Sequence, residues 1–238
     1  MRPHAISCPV CRGARTRPFQ EVDGRAYWRC PDCACTFLDP AQRPGLARER
    51  AEYALHRNTL DDPGYRRFLA RLADPLLERL PPRREGLDFG CGPAPALAAM
   101  LEAAGHRMHL YDPAFHDDPA VLQRRYDFIT CTEVVEHLHD PAGIFDRLHA
   151  LLRPGGLLAV MTCFQTDDAR FAGWHYRRDP THVVFYRETT LRHVAARLGM
   201  AVEVVGKDVV VMVRREKGEG EWETGGHGCG EAGSARPG

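Results

Sequence analysis

The chain has 238 residues, 44% of them hydrophobic and 27% charged, and its 32 basic side chains balance its 32 acidic ones. This length accommodates one full domain with a small accessory module, and the composition supports a sizeable buried core. The zero net charge excludes a uniformly basic nucleic-acid binder and an acidic disordered protein, and no apolar run approaches the roughly 18 residues that a membrane span requires.

The chain begins MRPHAISCPVCRG, which lacks the apolar core of a secretory signal peptide. We therefore expect a cytoplasmic protein without membrane insertion. Disulfides are rare in the cytoplasm, so the nine cysteines indicate a metal site or reactive thiols.

Two C-x2-C pairs, Cys8 with Cys11 and Cys30 with Cys33, stand 18 residues apart. This spacing is typical of a four-cysteine zinc site, in which each pair places two thiolates on a tight turn. An all-cysteine donor set favours a closed, structural Zn2+ site over a catalytic one. The neighbouring Cys35 is either a spare thiol or an alternative ligand.

The residues between the two cysteine pairs predict a small ribbon. Strands are expected at Thr16–Phe19 and Arg25–Arg29, with Asp23-Gly24 as the turn that joins them. A module of about 40 residues has too little core to fold alone, so bound metal would contribute much of its folding free energy. We assign residues 1–40 to this zinc ribbon.

Residues 41–82 are predicted to form a linker with amphipathic helices. One helix is expected around Leu46–His56, and the second contains apolar residues at helical spacing from Tyr65 to Leu80, with a kink at Pro75. At the other end of the chain, residues 216–238 are rich in Gly and Glu, and we expect them to be disordered.

Between these regions, residues 83–215 alternate strand-like and helix-like segments, which predicts an α/β fold with a mostly parallel sheet and helices on both faces. Strands are predicted at Gly86–Phe89, Arg107–Tyr111, Tyr126–Cys131, Leu157–Cys163, Ala201–Val205 and Val209–Arg214. Helices are predicted at Pro95–Ala104, Pro141–Leu152 and Thr189–Leu198. Asp140 is expected to cap the second of these helices, and Gly105 and Gly199 are expected to end the other two.

The first strand of this domain runs into the glycine loop Asp88-Phe-Gly90-Cys-Gly92 and then into a helix. Glycines at such a turn allow the backbone to approach a ligand closely. Asp112, at the end of the next strand, is placed to accept hydrogen bonds from ribose hydroxyls. An acid at the start of the loop disfavours phosphate and suits a cationic or amine-bearing ligand.

These residues resemble the class I S-adenosylmethionine-dependent methyltransferases. The likeness continues through the segments Tyr126–His137 and Leu151–Gly156, and the part around Cys131–Asp140 is similar to ubiquinone-biosynthesis O-methyltransferases. The resemblance implies a Rossmann-like methyltransferase domain over residues 83–215 that uses S-adenosylmethionine.

The resemblance also implies the cofactor contacts. Gly90 and Gly92 would bracket the methionine part, and Asp112 would hold the ribose. Asp88 would orient the loop or reach the cofactor's amino group through water. Thr132 and Glu133 would line the cofactor's other side.

The chain departs from the family pattern after Asp112. The segment from Asp112 to Tyr126 is too short to contain the usual third strand and its helices. The family's acidic contact to adenine is therefore not expected here, and Phe115 is the candidate to pack against the base. Ala94 also replaces a glycine that the family often has.

A long segment without clear periodicity separates the fourth strand of this domain from its last helix. Six of its residues are aromatic, a density about three times that of the whole chain: Phe164, Phe171, Trp174, Tyr176, Phe185 and Tyr186. This composition is not that of a disordered loop. Because the segment leaves the carboxyl edge of the sheet, we interpret it as a substrate lid.

Methyl transfer to a hydroxyl or an acidic carbon requires positioning and a base with a suitable pKa. His182 and His175, both in the lid, are the candidate bases, and Asp179 is placed to orient one of them. The alternative is that these histidines hydrogen-bond to the backbone and only stabilise the loop.

The sequence therefore favours a methyltransferase acting on a small molecule at oxygen or carbon. A second hypothesis is an RNA methyltransferase whose ribbon binds phosphates through its arginines, which are Arg12, Arg15, Arg17, Arg25 and Arg29. A third is a non-catalytic binding module, since a fold does not guarantee its usual activity.

Overall fold

The structure is a computed structural model that describes residues 6–53 and 58–215. The predicted disorder of residues 216–238 and the end of the first predicted helix lie outside the described residues. Among the helices that the structure describes, none is long and apolar enough to cross a membrane.

Ten strands and six α-helices lie within the described ranges. The strands are β1 Arg17–Val22, β2 Arg25–Arg29, β3 Thr36–Leu38, β4 Glu85–Phe89, β5 Arg107–Tyr111, β6 Tyr126–Thr132, β7 Leu152–Met161, β8 Val184–Phe185, β9 Met200–Gly206 and β10 Val209–Arg214. The helices are α1 Leu46–Tyr53, α2 Pro63–Leu77, α3 Ala96–Ala103, α4 Pro141–Leu151, α5 His175–Arg178 and α6 Glu188–Arg197.

The larger sheet has the strand order β5-β4-β6-β7-β10-β9. Strands β5, β4, β6 and β7 are parallel, whereas β10 runs antiparallel to both of its neighbours. The prediction of a mostly parallel, Rossmann-like sheet is confirmed. In such a sheet, ligands bind beyond the carboxyl ends of the parallel strands.

Helices cover both faces of this sheet, as the alternation of buried side chains requires. Phe128 points to one face, where it packs in a cluster with Leu72 of α2 and Leu101 of α3. The next residue, Ile129, points to the opposite face and packs in the cluster that contains Phe145 of α4. Both faces are therefore core, which explains the nearly continuous apolar runs in the central strands.

The predicted helix ends are also found. The Asp140 side chain accepts a hydrogen bond from the Gly143 amide at 3.1 Å, so it caps α4. Gly105 and Gly199 follow α3 and α6 with φ of 90° and 65°, the left-handed conformation that favours glycine after a helix.

The short segment between Asp112 and Tyr126 contains a 3-10 helix, Pro119–Gln123, and no strand. The family's usual third strand is therefore missing, and β5 is the edge of the sheet. The length of this segment explains why β5 is at the edge. The segment is too short for a further parallel strand with a crossover connection on each side of it.

The ribbon differs from the prediction by joining the lid. A second sheet has the order β1-β2-β3-β8, so a strand of the lid completes the sheet of the ribbon. The Asp23-Gly24 turn joins β1 and β2 with φ of 54° and 71°, as a tight hairpin requires. Strand β8 has only two residues, too few to show a period in the sequence.

Candidate functional site

A cavity of about 500 Å3 lies at the carboxyl ends of β4 and β6, between the glycine loop and the lid, which we define as residues 164–187. We call this cavity the cleft. From the sheet side it is lined by Gly90, Gly92, Thr132 and Glu133, and from the lid by His175, Tyr176, Asp179 and His182. The structure thus brings together four of the six predicted cofactor residues and all three predicted catalytic residues.

The glycine loop has a shape that only glycine adopts easily. Gly90 and Gly92 have φ of 77° and 64°, and the Gly90 amide donates a hydrogen bond to the Tyr111 carbonyl at 2.7 Å. A Cβ at Gly90 would lie 2.3 Å from a methyl group of Val134, whereas a Cβ at Gly92 would meet no atom within 4 Å. Gly90 is therefore needed for packing beneath the loop, and Gly92 leaves its backbone open.

The two predicted carboxylates, Asp88 and Asp112, are not among the residues that line the cleft. Asp112 accepts hydrogen bonds from the amides of Gly92 at 3.0 Å and Ala114 at 2.9 Å. Asp88 is buried and accepts a hydrogen bond from the Thr130 hydroxyl at 2.7 Å. Burial raises the pKa of Asp88 to about 6. Asp88 is thus joined to β6, whereas Asp112 ties the loop to the end of β5.

Glu133 and Thr132 bring polar groups to the opposite wall of the cleft. Glu133 has φ of 51°, which is uncommon for a residue with a side chain and turns its carboxylate toward the cleft. Burial raises the pKa of Glu133 to about 7. The Thr132 hydroxyl is buried without a hydrogen-bond partner among the described residues. Both residues line the cleft.

A buried cluster that the sequence interpretation missed lies beneath this wall. The Glu136 carboxylate is fully buried and accepts hydrogen bonds from the hydroxyls of Tyr176 and, at 3.1 Å, Thr162. Burial raises the pKa of Glu136 well above its ordinary value. The sequence signal that could have revealed this cluster is the close spacing of Glu133 and Glu136 after a strand. The tyrosine that joins them comes from the lid, about 40 residues away.

His182 and Asp179 form the polar part of the lid wall. The His182 Nδ1 lies 2.7 Å from the Tyr176 carbonyl, and its Nε2 lies 3.7 Å from the Asp179 carboxylate. Burial acts to raise the pKa of Asp179, but hydrogen bonds from Thr181 and the nearby His182 hold it below its ordinary value. Asp179 is therefore an ionised neighbour of His182.

Two further imidazoles, those of His137 and His175, line the cleft. His137 contacts His182 edge to face, with ring centroids 4.6 Å apart, and lies within 4.8 Å of both His182 and Glu136 by donor atoms. This spacing would allow the three donor atoms to hold a cation. His175 lines the cleft from the first residue of α5.

In the ribbon, the Sγ atoms of the four predicted zinc ligands all lie within 4.8 Å of one another. Cys8 and Cys33 are 3.6 Å apart, and Cys11 and Cys30 are 3.5 Å apart. These distances are too long for disulfides and close to the roughly 3.8 Å between thiolates around tetrahedral Zn2+. The donor set therefore fits Zn2+, which would be held by Cys8, Cys11, Cys30 and Cys33.

Cys35 is fully buried, with its Sγ 3.3 Å from that of Cys8, but it does not belong to the group of four. Its position is consistent with a spare thiol that packs beside the site.

The ribbon arginines are largely paired within the protein. Arg12 contacts Asp146 of α4 at 2.8 Å, Arg15 pairs with Asp32, and the buried Arg29 contacts Asp168 of the lid at 2.6 Å. These three charges face carboxylates of the protein itself, so a surface for phosphate binding would have to rely on the remaining ones.

Known proteins resemble this chain in sequence and in fold. A family model described as a methyltransferase domain matches residues 62–205. The ubiquinone biosynthesis O-methyltransferase of Vibrio vulnificus strain YJ016 is 31% identical over 71 residues, which cover 30% of each chain. That of Leptothrix cholodnii is 37% identical over 62 residues, which cover 26% of each chain. The chain thus matches less than a third of the length of these relatives.

Solved structures share the fold at low identity. The 1,6-didemethyltoxoflavin-N1-methyltransferase of Burkholderia thailandensis, determined with S-adenosylhomocysteine, is 20% identical with a TM-score of 0.52, covering 84% of this chain and all of that one. The magnesium protoporphyrin IX methyltransferase of Synechocystis PCC 6803 is 15% identical with a TM-score of 0.50, covering 71% and 94%. At these identities the likeness establishes the fold.

Proposed function

The chain belongs to the family of methyltransferase domains, and we propose that it transfers a methyl group from S-adenosylmethionine to a small-molecule acceptor. One observation carries the proposal: a cleft of about 500 Å3 has the glycine loop on one side and the ionisable lid on the other. This volume lies in the range of small-molecule sites, about 300–1,000 Å3. The acceptor nucleophile is an oxygen or an acidic carbon.

The residues around the glycine loop fit the cofactor. Gly92 leaves backbone open for the methionine part, and Asp112, which already orders the loop through the Gly92 amide, is the candidate for the ribose hydroxyls. Thr132 and Glu133 provide a hydroxyl and a carboxylate on the other side. When bound, S-adenosylmethionine supplies an electrophilic methyl group on a cationic sulfur, and a nearby carboxylate favours that charge.

The lid residues fit the acceptor. Methyl transfer requires the acceptor to lie in line with the methyl group and to lose a proton as its new bond to carbon forms. We assign this proton to His182, with the ionised Asp179 stabilising the resulting imidazolium, and keep His175 as the alternative base. Tyr176 closes the wall between them.

We also assign Zn2+ to the four-cysteine group, as a structural ion. The all-thiolate donor set leaves no open position for a substrate, so the ion stabilises the fold of the ribbon and takes no part in methyl transfer.

The proposed function is tested with S-adenosylmethionine labelled in its methyl group. The purified protein is incubated with the label and with two separate fractions of a cell extract, one containing small metabolites and the other containing bulk RNA. Label that enters the metabolite fraction supports the proposal. Label that enters RNA supports the RNA alternative, and label in neither fraction favours a non-catalytic module.

Cofactor affinity should depend on pH through Glu133. Its raised pKa of about 7 means that the carboxyl is largely neutral at pH 6 and ionised at pH 8. A sulfonium favours the ionised form, so its binding releases a proton and strengthens as pH rises. We expect S-adenosylmethionine to bind up to about tenfold more tightly at pH 8, by calorimetry, with a smaller change for the neutral sulfur of S-adenosylhomocysteine.

Glu133→Gln should bind S-adenosylmethionine weakly at both pH values, whereas the exposed control Glu188→Gln should keep the wild-type profile. Equal pH dependence for the two ligands would show that Glu133 does not face the sulfur.

The base assignment predicts that His182→Ala lowers turnover by about 100-fold, the usual contribution of a general base, with unchanged affinity for S-adenosylhomocysteine. His175→Ala should have a smaller effect. Rates are measured with the labelled acceptor fraction, and melting temperatures confirm folding. Near-normal turnover in both variants would remove the general-base assignment and support a purely structural role for these histidines.

A further inference from the structure

The ribbon and the lid form one continuous sheet. Strand β3 pairs with β8 through Thr36 with Phe185 and Phe37 with Val184, and the Leu38 amide donates a hydrogen bond to the Val183 carbonyl at 2.9 Å. A two-residue strand is not stable on its own. The position of β8, which begins just after His182, therefore depends on β3.

Strand β3 in turn depends on the cysteine group. Cys30 and Cys33 lie in the turn that joins β2 to β3, and the turn is closed by a hydrogen bond from the Cys30 amide to the Cys35 carbonyl at 3.0 Å. A metal ion held by these thiolates would fix the turn and so the register of β3. On the far side of β8, the Val183 amide donates to the Glu136 carbonyl at 2.8 Å, which continues the connection to the wall of the cleft.

A buried arginine makes a second connection. Arg177 is 3% exposed, and its guanidinium contacts Asp23 of the ribbon hairpin at 2.8 Å and the Tyr27 hydroxyl at 3.4 Å. It belongs to the short helix α5, whose first two residues, His175 and Tyr176, line the cleft. One side of this helix thus contacts the ribbon while the other lines the cleft.

Other residues of the lid also pack against the ribbon. Phe171 is fully buried, with its ring centroid 4.9 Å from that of Tyr27 and 5.3 Å from that of Phe19. The buried Thr36 hydroxyl donates to the Gln165 side chain at 2.6 Å. The glycine loop, by contrast, is held by β4 and β5 of the larger sheet. Val134, in the segment that follows β6, packs against it.

We propose that the metal-loaded ribbon fixes the acceptor-side wall of the cleft, with Arg177 as the positioning residue that holds α5 against the ribbon hairpin. The inference rests on the proposed function, because that function assigns the lid to the acceptor. It predicts a division of effects: loss of the metal or of the Arg177 contact disturbs the lid and leaves the cofactor side intact.

Hydrogen exchange of the full chain, followed by mass spectrometry, measures this division. Wild type is compared with and without a zinc chelator, together with Arg177→Met, the conservative Arg177→Lys and the ribbon-side variant Asp23→Asn. The matched controls are Arg192→Met, an exposed arginine of α6, and Glu21→Gln, an exposed carboxylate of the same hairpin.

We expect chelation and Arg177→Met to increase exchange over residues 164–187 by about tenfold or more, while residues 85–97 remain protected. Asp23→Asn should show the same pattern, Arg177→Lys should restore most of the protection, and the controls should match wild type. Affinity for S-adenosylhomocysteine should stay within about threefold of wild type, while transfer of label to the acceptor fraction falls at least about tenfold.

Unchanged protection of residues 164–187 in both chelated wild type and Arg177→Met would overturn the inference. Equal loss of protection over residues 85–97 would also overturn it, because the two sides of the cleft would then be a single unit. Failure of wild type to bind S-adenosylhomocysteine or to transfer label would contradict the proposed function instead. The exchange pattern tests the connection between ribbon and lid separately, so the two failures can be distinguished.

Discussion

Replacing Cys30 with serine is expected to remove one equivalent of bound zinc and to lower the free energy of unfolding by at least about 3 kcal/mol, or about 10 °C in melting temperature. The reason is that the ribbon has little core of its own, and three thiolates cannot complete the tetrahedron that the four Sγ atoms define. The loss should exceed that of an ordinary core substitution, because the sheet that includes β8 depends on the same turn.

Metal content by mass spectrometry and thermal unfolding by circular dichroism measure these effects. Cys163→Ser, at a half-buried thiol outside the group, is the matched control and should keep both metal and stability. Cys35→Ser distinguishes a spare thiol from an alternative ligand. If Cys35 is a spare thiol, this variant keeps one equivalent of zinc. Full zinc content in Cys30→Ser together with loss of zinc in Cys35→Ser would replace Cys30 by Cys35 in the site.

Gly90→Ala is expected to weaken binding of S-adenosylhomocysteine by about 100-fold. An alanine at φ of 77° costs roughly 1–2 kcal/mol, and its Cβ would lie 2.3 Å from a Val134 methyl group, so the glycine loop must shift. The shift displaces the backbone that lines the cleft, and each increment of about 1.4 kcal/mol in binding free energy corresponds to a tenfold change in affinity.

Gly105→Ala is the matched control for this variant. Gly105 also has a positive φ, of 90°, but a Cβ there would meet no atom within 4 Å, and the residue lies at the end of α3 and not at the cleft. It should show the backbone cost as reduced stability, with normal ligand affinity. If Gly90→Ala binds the ligand as well as Gly105→Ala does, the glycine loop is not part of the ligand site.

Most of the larger domain could be predicted from the sequence, because its signals are local. The strands Arg107–Tyr111 and Val209–Arg214 have the predicted bounds, and the Asp140 cap of α4 is a short-range hydrogen bond. The four-cysteine group was predicted for the same reason, since C-x2-C pairs report on their own turns. The family resemblance, carried by the glycine loop and the segment after β6, is confirmed by the match over residues 62–205.

What the sequence did not reveal depends on contacts between distant residues. The pairing of β3 with β8 joins Thr36 to Phe185, which are far apart in the chain. A strand as short as β8 has no periodicity from which this pairing could be predicted. The buried cluster of Glu136, Thr162 and Tyr176 likewise draws on three separate elements. Ribbon and lid therefore looked like independent parts, whereas they share a sheet.

The predicted cofactor residues show the same limit. Gly90 and Glu133 line the cleft as expected, but the carboxylates of Asp88 and Asp112 accept hydrogen bonds from the protein itself. A sequence motif identifies such acids without indicating whether they meet the ligand or the loop that meets it. Asp112 is a candidate for both roles, contact with the ligand and support of the glycine loop. It accepts a hydrogen bond from the Gly92 amide and lies at the end of β5.

The most direct test of the account is calorimetric titration of S-adenosylhomocysteine into wild type and Asp112→Ala side by side, with the exposed neighbour Asp117→Ala as control. We predict saturable binding at one site in wild type and in Asp117→Ala, and at least about tenfold weaker binding in Asp112→Ala, as expected when charge-assisted hydrogen bonds are lost. Absence of binding to wild type, or equal affinity in all three proteins, would contradict the assignment of the cleft as the cofactor site.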